Sequence, residues 1–66
     1  MRRDPFELLD EQQVSGMLRV SLRTLRRWRV TGYGPPVTRI GRFVRYSRGD
    51  VEAWIIEQRE PPKRRR

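Results

Sequence analysis

Apolar side chains recur at helical spacing in three stretches of the chain and alternate in a fourth. Val14, Met17 and Leu18 form the first stripe, Leu22, Leu25 and Trp28 the second, and Val51, Trp54 and Ile55 the third. Each stripe opens behind a residue able to cap a helix. Asp10 stands before the first, with Gln13 three residues on and Leu9 and Val14 placed as a hydrophobic staple. Ser21 stands before the second, with Val20 and Leu25 as the staple. Ser47 stands before the third, with Asp50 able to close a capping box and Tyr46 and Val51 stapling. The spacing predicts helices over 11–18, 22–31 and 48–58. Gly16 costs about 1 kcal/mol inside the first helix, which implies that a neighbour approaches closely there. Gly32, followed by Gly34-Pro35-Pro36, ends the second helix, and Pro61-Pro62 follows the third.

The alternating stretch is Val37–Ile40, then Gly41-Arg42, then Phe43–Tyr46, which reads as a β-hairpin. Under a two-residue turn Val37, Val44 and Tyr46 share one face, while Ile40 and Phe43 share the other. A longer turn reassigns Ile40. The hairpin's inner face must pack on the helices, because a two-stranded hairpin is not stable alone. Trp28 and Trp54 are able to stack on unpaired bases, but their spacing with Leu25 and Ile55 assigns them to the core. Only Arg19-Val20 and the cap Ser21 separate the first two helices, too little chain for an antiparallel pair. The expected fold is mainly α with a small β-hairpin: a winged helix-turn-helix with three short helices and a two-stranded wing between the second and third. The expected organisation is an N-terminal arm over 1–7, the domain over 8–59 and a disordered basic tail over 60–66.

Composition narrows the chemistry. The chain has 66 residues, of which 35% are hydrophobic, enough for one small core. It has no Cys and no His, which removes disulfides, thiolate metal sites and the commonest general base. No nucleophile–base pair can be assembled from what remains, so an enzyme is not expected, nor is a cofactor or a small-molecule ligand. The longest apolar run, Ala53–Ile56, is far short of a membrane span, and a cytoplasmic location is expected. The net charge is +8, and it is segregated. Residues 19–48 hold nine arginines and no acid, whereas 4–18 and 49–60 hold four acids each. A polyanion that neutralises the basic stretch is the simplest reason for the segregation.

At about 100° per residue, Leu22, Leu25 and Trp28 cover one side of the second helix. Arg23, Arg26, Arg27 and Val30 fall on the other, within an arc of roughly 100°. An α-helix fits the DNA major groove, where an Arg can donate two hydrogen bonds to a guanine edge. Arg23, Thr24 and Arg27 are therefore expected at base edges, and Ser21 and Arg26 at phosphates. In the wing, Gly41 permits a tight turn from which Arg42 projects toward the adjacent minor groove, while Arg39 and Arg45 reach flanking phosphates.

These residues also carry a resemblance. Leu8-Leu9-Asp10, Val14, Leu18-Arg19-Val20-Ser21, Thr24–Trp28, Arg39-Ile40-Gly41-Arg42, Val44-Arg45-Tyr46 and Asp50–Ile55 together resemble the excisionase-type family of small winged helix-turn-helix proteins. The likeness runs from about residue 8 to 57. Ser21–Trp28, with Pro35-Pro36-Val37 and Gly41-Arg42, is similar to lambda-type phage excisionases. The resemblance implies that the second helix enters the major groove with Arg23 and Arg27 at base-contacting positions, and that Arg42 enters the minor groove. It further implies an architectural role in which neighbouring copies bind tandem sites, bend DNA and direct an integrase toward excision. Relatives of the MerR and AlpA types regulate transcription with the same surface, which is the alternative. In relatives the residue before Val20 is often glycine; here it is Arg19, which leaves the turn geometry open. Arg23 stands where some excisionases carry an acid, so their base preference does not transfer.

Overall fold

Each helix starts where its capping residue places it. In the computed structural model, which describes residues 4–62, α1 spans Glu11–Leu18, α2 spans Leu22–Thr31 and α3 spans Arg48–Glu57. The Gln13 N–H donates to Asp10 Oδ1 at 2.8 Å and the Asp10 N–H to Gln13 Oε1 at 2.9 Å, completing a capping box. The Thr24 N–H donates to Ser21 Oγ at 3.0 Å, and the Asp50 N–H to Ser47 Oγ at 3.3 Å. Each cap satisfies an N–H that has no partner within its helix, worth about 1 kcal/mol.

At Ser47 only this first bond of the expected box is present. The rest of the first turn of α3 is served by the preceding chain: the Arg48 N–H donates to the Glu7 carbonyl and the Gly49 N–H to the Pro5 carbonyl, both at 2.8 Å. Residues 5–7 thus lie against the start of α3. A side-chain Cβ at Gly49 would stand 3.1 Å from the Pro5 carbonyl oxygen. This is the close approach that the sequence suggested at Gly16. At Gly16 itself a Cβ would meet nothing within 4 Å, so that expectation was misplaced.

The turn between α1 and α2 keeps the shape that glycine favours. Arg19 has φ 59° and ψ 39°, the left-handed conformation, and no other non-glycine among the described residues has positive φ. Its N–H donates to the Gly16 carbonyl, and the Val20 N–H to the Ser15 carbonyl, closing the helix end.

The wing consists of β2 (Thr38–Ile40) and β3 (Phe43–Ser47), antiparallel, with Ile40 opposite Phe43. The turn is therefore the two residues Gly41-Arg42, with Gly41 at φ 59°. Val44 and Tyr46 face the core, and Ile40 and Phe43 stay exposed on the other face. A strand not predicted from the sequence, β1 (Leu8–Leu9), pairs with the other edge of β3, Leu8 opposite Ser47 and Leu9 opposite Tyr46. The sheet order is β1-β3-β2.

The core is Leu9, Val14, Leu25, Tyr46 and Val51, one side chain from each of β1, α1, α2, β3 and α3. Leu18, Val20, Trp28, Val37 and Val44 pack around it. Four residues of the expected core-facing stripes lie outside this cluster: Met17 is 37% exposed and Ile55 38%, while Leu22 and Trp54 are half-buried. Trp28 and Trp54, both assigned to the core by their spacing, are half-buried and pack on each other with ring centroids 5.8 Å apart, joined by Tyr33, whose ring meets each of them edge-on at 5.0 and 5.7 Å. The loop turns at Gly34, whose φ of 94° is a backbone conformation that favours glycine.

Candidate nucleic-acid interface

The N-terminus of α2 is held by a pair of hydroxyls. Besides accepting the Thr24 N–H, Ser21 Oγ donates to Thr24 Oγ1 at 2.9 Å. The Thr24 hydroxyl hydrogen is then still free to donate outward. With Leu25 buried and Trp28 half-buried on the inner side, Arg23, Arg26 and Arg27 are exposed on the outer side of α2. Helical geometry orders that arc: Arg27 lies at one edge, Arg26 at the other, with Arg23 and Val30 between them. Val30 is 79% exposed, an apolar patch within the basic surface.

The Arg26 edge of the arc borders the wing. An open cleft of about 450 Å³ is lined by the start of α1 (Asp10, Glu11, Gln12), by Leu22 and Arg26 of α2, and by Arg42–Arg45 of the wing. Arg26, Arg42 and Arg45 therefore line one concavity, whereas Arg23 and Arg27 lie outside it. Arg45 is held in place, with Nη1 donating to the Val44 carbonyl at 2.8 Å and its guanidinium 5.4 Å from the Phe43 ring centroid.

Arg39 and Arg45, both expected at phosphates, do not come together. Arg39 is paired with Val44 and Arg45 with Thr38, so the alternation of the strands puts their side chains on opposite faces of the wing. Gly41 is exposed at the turn and Arg42 follows it at the tip.

The basic stretch is less uniform than its sequence suggests. Arg26 Nε lies 3.3 Å from Glu11 Oε1, and Arg29 Nη2 lies 3.1 Å from Glu11 Oε2. Arg48 Nε lies 2.8 Å from Glu7 Oε1, and its Nη1 is 4.0 Å from Glu52. Three of the nine arginines between 19 and 48 are thus answered from inside the molecule by acids of the flanking segments. Arg29 is structural: its side chain is 20% exposed, beside Glu11 and the hydroxyl of Tyr46. Burial, and secondarily the charge of Glu11, push the Tyr46 hydroxyl above the ordinary tyrosine value, while Arg29 pulls the other way. Sequence reasoning passed over Glu11 and Arg29. The available signal was Glu11, in the first turn of α1, with Arg26 and Arg29 one turn apart on the next helix.

Among the described residues no group of three or more His, Cys, Asp or Glu side chains is placed to hold a metal ion, and no helix is long and apolar enough to cross a membrane. A sequence-family model described as a helix-turn-helix domain matches residues 8–59, the span from β1 to just past α3. No curated protein sequence matches the chain.

Proposed function

Because the chain belongs to the helix-turn-helix domain family, and so binds DNA, we propose that it is a sequence-specific architectural protein of the excisionase kind. In this reading α2 lies in the major groove of a double helix, Arg23, Thr24 and Arg27 read base edges, and Ser21 and Arg26 hold phosphates. Arg42 at the turn after Gly41 enters the adjacent minor groove, with Arg39 and Arg45 toward the flanking backbone. Copies on tandem sites bend the duplex and favour excision by a partner integrase. The observation that carries the reading is the adjacency of two elements: the Arg26 edge of α2 and the Arg42 tip of the wing border one cleft. One duplex face could therefore meet both. Five fully buried side chains support only a small domain, so neighbouring copies are the natural source of added affinity.

Selection from a random-sequence duplex pool tests the binding mode. A defined motif is expected, bound at physiological salt well above random duplex; failure to enrich any motif overturns specific readout. Excision frequency in cells with and without the protein tests the role. Loss of excision is the expected result. Unchanged excision with altered transcripts from the neighbouring operon would assign the same surface to a small transcription regulator.

A further inference from the structure

We propose that the cleft between α2 and the wing seats one backbone phosphodiester of the bound duplex, and that Glu11 stands in for that phosphate in the free protein by holding Arg26. This rests on the DNA-binding reading above and adds a competitor built into the fold. Arg26, Arg42 and Arg45 line the cleft from two elements far apart in sequence, so folding itself gathers three cations around one opening. Like charges gathered this way repel, and a phosphodiester, with its exposed acceptor oxygens, suits the forked donors of Arg26 and Arg45, while Arg42 at the tip goes on to the minor groove. In the free protein a carboxylate on the same wall, Glu11, answers one of the three, Arg26.

The two oxygens of Glu11 are not equivalent. Oε2 meets Arg29, whose side chain is 20% exposed, so that bond belongs to the interior. Oε1 meets Arg26, whose side chain is 56% exposed, so that bond lies at the lip of the cleft in contact with water. Ion pairs as wet as this are weak enough to exchange for another anion. When a phosphate enters, Arg26 turns from Glu11 to it, while Arg29 keeps Glu11 in place. Every binding event, on any sequence, must give up the Arg26 pair and bring a phosphate close to the Glu11 carboxylate. Glu11 therefore lowers overall affinity without altering sequence preference, and it keeps binding through the backbone alone weak.

The test is a binding titration with a short mixed-sequence duplex at moderate salt. Glu11→Gln is expected to tighten binding about two- to fivefold, the range set by the worth of an exposed ion pair. Glu57→Gln changes the net charge equally at the C-terminal end of α3, outside the cleft, and should change affinity less. In an Arg26→Gln background the Glu11→Gln effect should vanish. Equal affinity of wild type and a folded Glu11→Gln protein, or an equal gain from Glu57→Gln, overturns the proposal. If wild type itself fails to bind duplex, the DNA-binding reading falls instead.

Should Glu11→Gln unfold because Arg29 loses its partner, the wild-type protein still decides the matter by NMR of its arginine Nε–H groups. Duplex should move the Arg26 signal and leave that of Arg29. An unmoved Arg26 in the saturated complex overturns the proposal, as does an equal shift from inorganic phosphate alone, which would make the cleft a simple anion site.

Discussion

Arg19 holds a left-handed backbone that costs an L-residue with a Cβ about 1 kcal/mol or more, and nothing but the tight turn between α1 and α2 requires it. Arg19→Gly should therefore raise stability by about 0.5–1 kcal/mol, read as a higher urea midpoint, while Arg19→Ala should leave it nearly unchanged. The glycines give a matched pair. Gly16→Ala adds a methyl into open space inside a helix and should stabilise by about 1 kcal/mol. Gly49→Ala pushes a methyl onto the Pro5 carbonyl and should destabilise by about 1 kcal/mol or more. Thermal melts of both proteins check the opposite signs. At the proposed DNA surface, Arg27→Ala should weaken specific binding by about 1–3 kcal/mol and relax preference at one base pair. Intact discrimination in that variant would mean that α2 docks some other way.

At the scale of elements, the helices were legible because their signals are local. A cap, a staple and a stripe lie within one or two turns of chain, and all three helix starts follow from them. The hairpin was legible for the same reason, from Gly41-Arg42 between two alternating runs, but the choice of a two-residue turn over a longer one came only with the pairing of Ile40 and Phe43. The strand β1 was not: Leu8–Leu9 is too short to show alternation, and its partner lies almost forty residues away in β3. Yet β1 supplies Leu9, one of the five core side chains. Leu9→Ala should cost about 2–5 kcal/mol, a large share of the stability of so small a domain, seen as a sharply lowered melting temperature. Asp10→Ala, one residue later, removes only a cap and should cost about 1 kcal/mol.

For the molecule as a whole, pH and salt probe different surfaces. The pKa of the Tyr46 hydroxyl is raised by folding, so the folded state favours the neutral form. Its contribution is fully present below the ordinary tyrosine value of 10.0 and is lost as pH rises through the higher folded value. Alkaline unfolding should begin in that range, and Tyr46→Phe should shift its onset upward in a circular-dichroism titration, at the expense of the contact with Arg29 at neutral pH. DNA affinity should fall steeply with salt, as phosphate neutralisation requires. Removing Lys63 to Arg66, which lie outside the described residues, should lower affinity evenly across sequences and flatten that slope. A loss of specificity alone would instead make the tail a reader of bases.

The order of residues alone determined the three helices, the wing and the basic arc on α2, because each is set by caps, turns and periodicities spanning a few residues, whereas the register of the wing was fixed by the pairing of Ile40 with Phe43. Tertiary structure decided which charges meet. Glu11 and Arg26 are fifteen residues apart, and Arg42 a further sixteen, yet they line one cleft. Arg29 and Arg48 belong to the same basic stretch but are held by acids of the flanking segments, and Arg39 and Arg45 part company across the wing. Coulomb interactions depend on distance through space rather than along the chain, so only the folded arrangement separates the arginines free to meet a duplex from those already answered within the molecule.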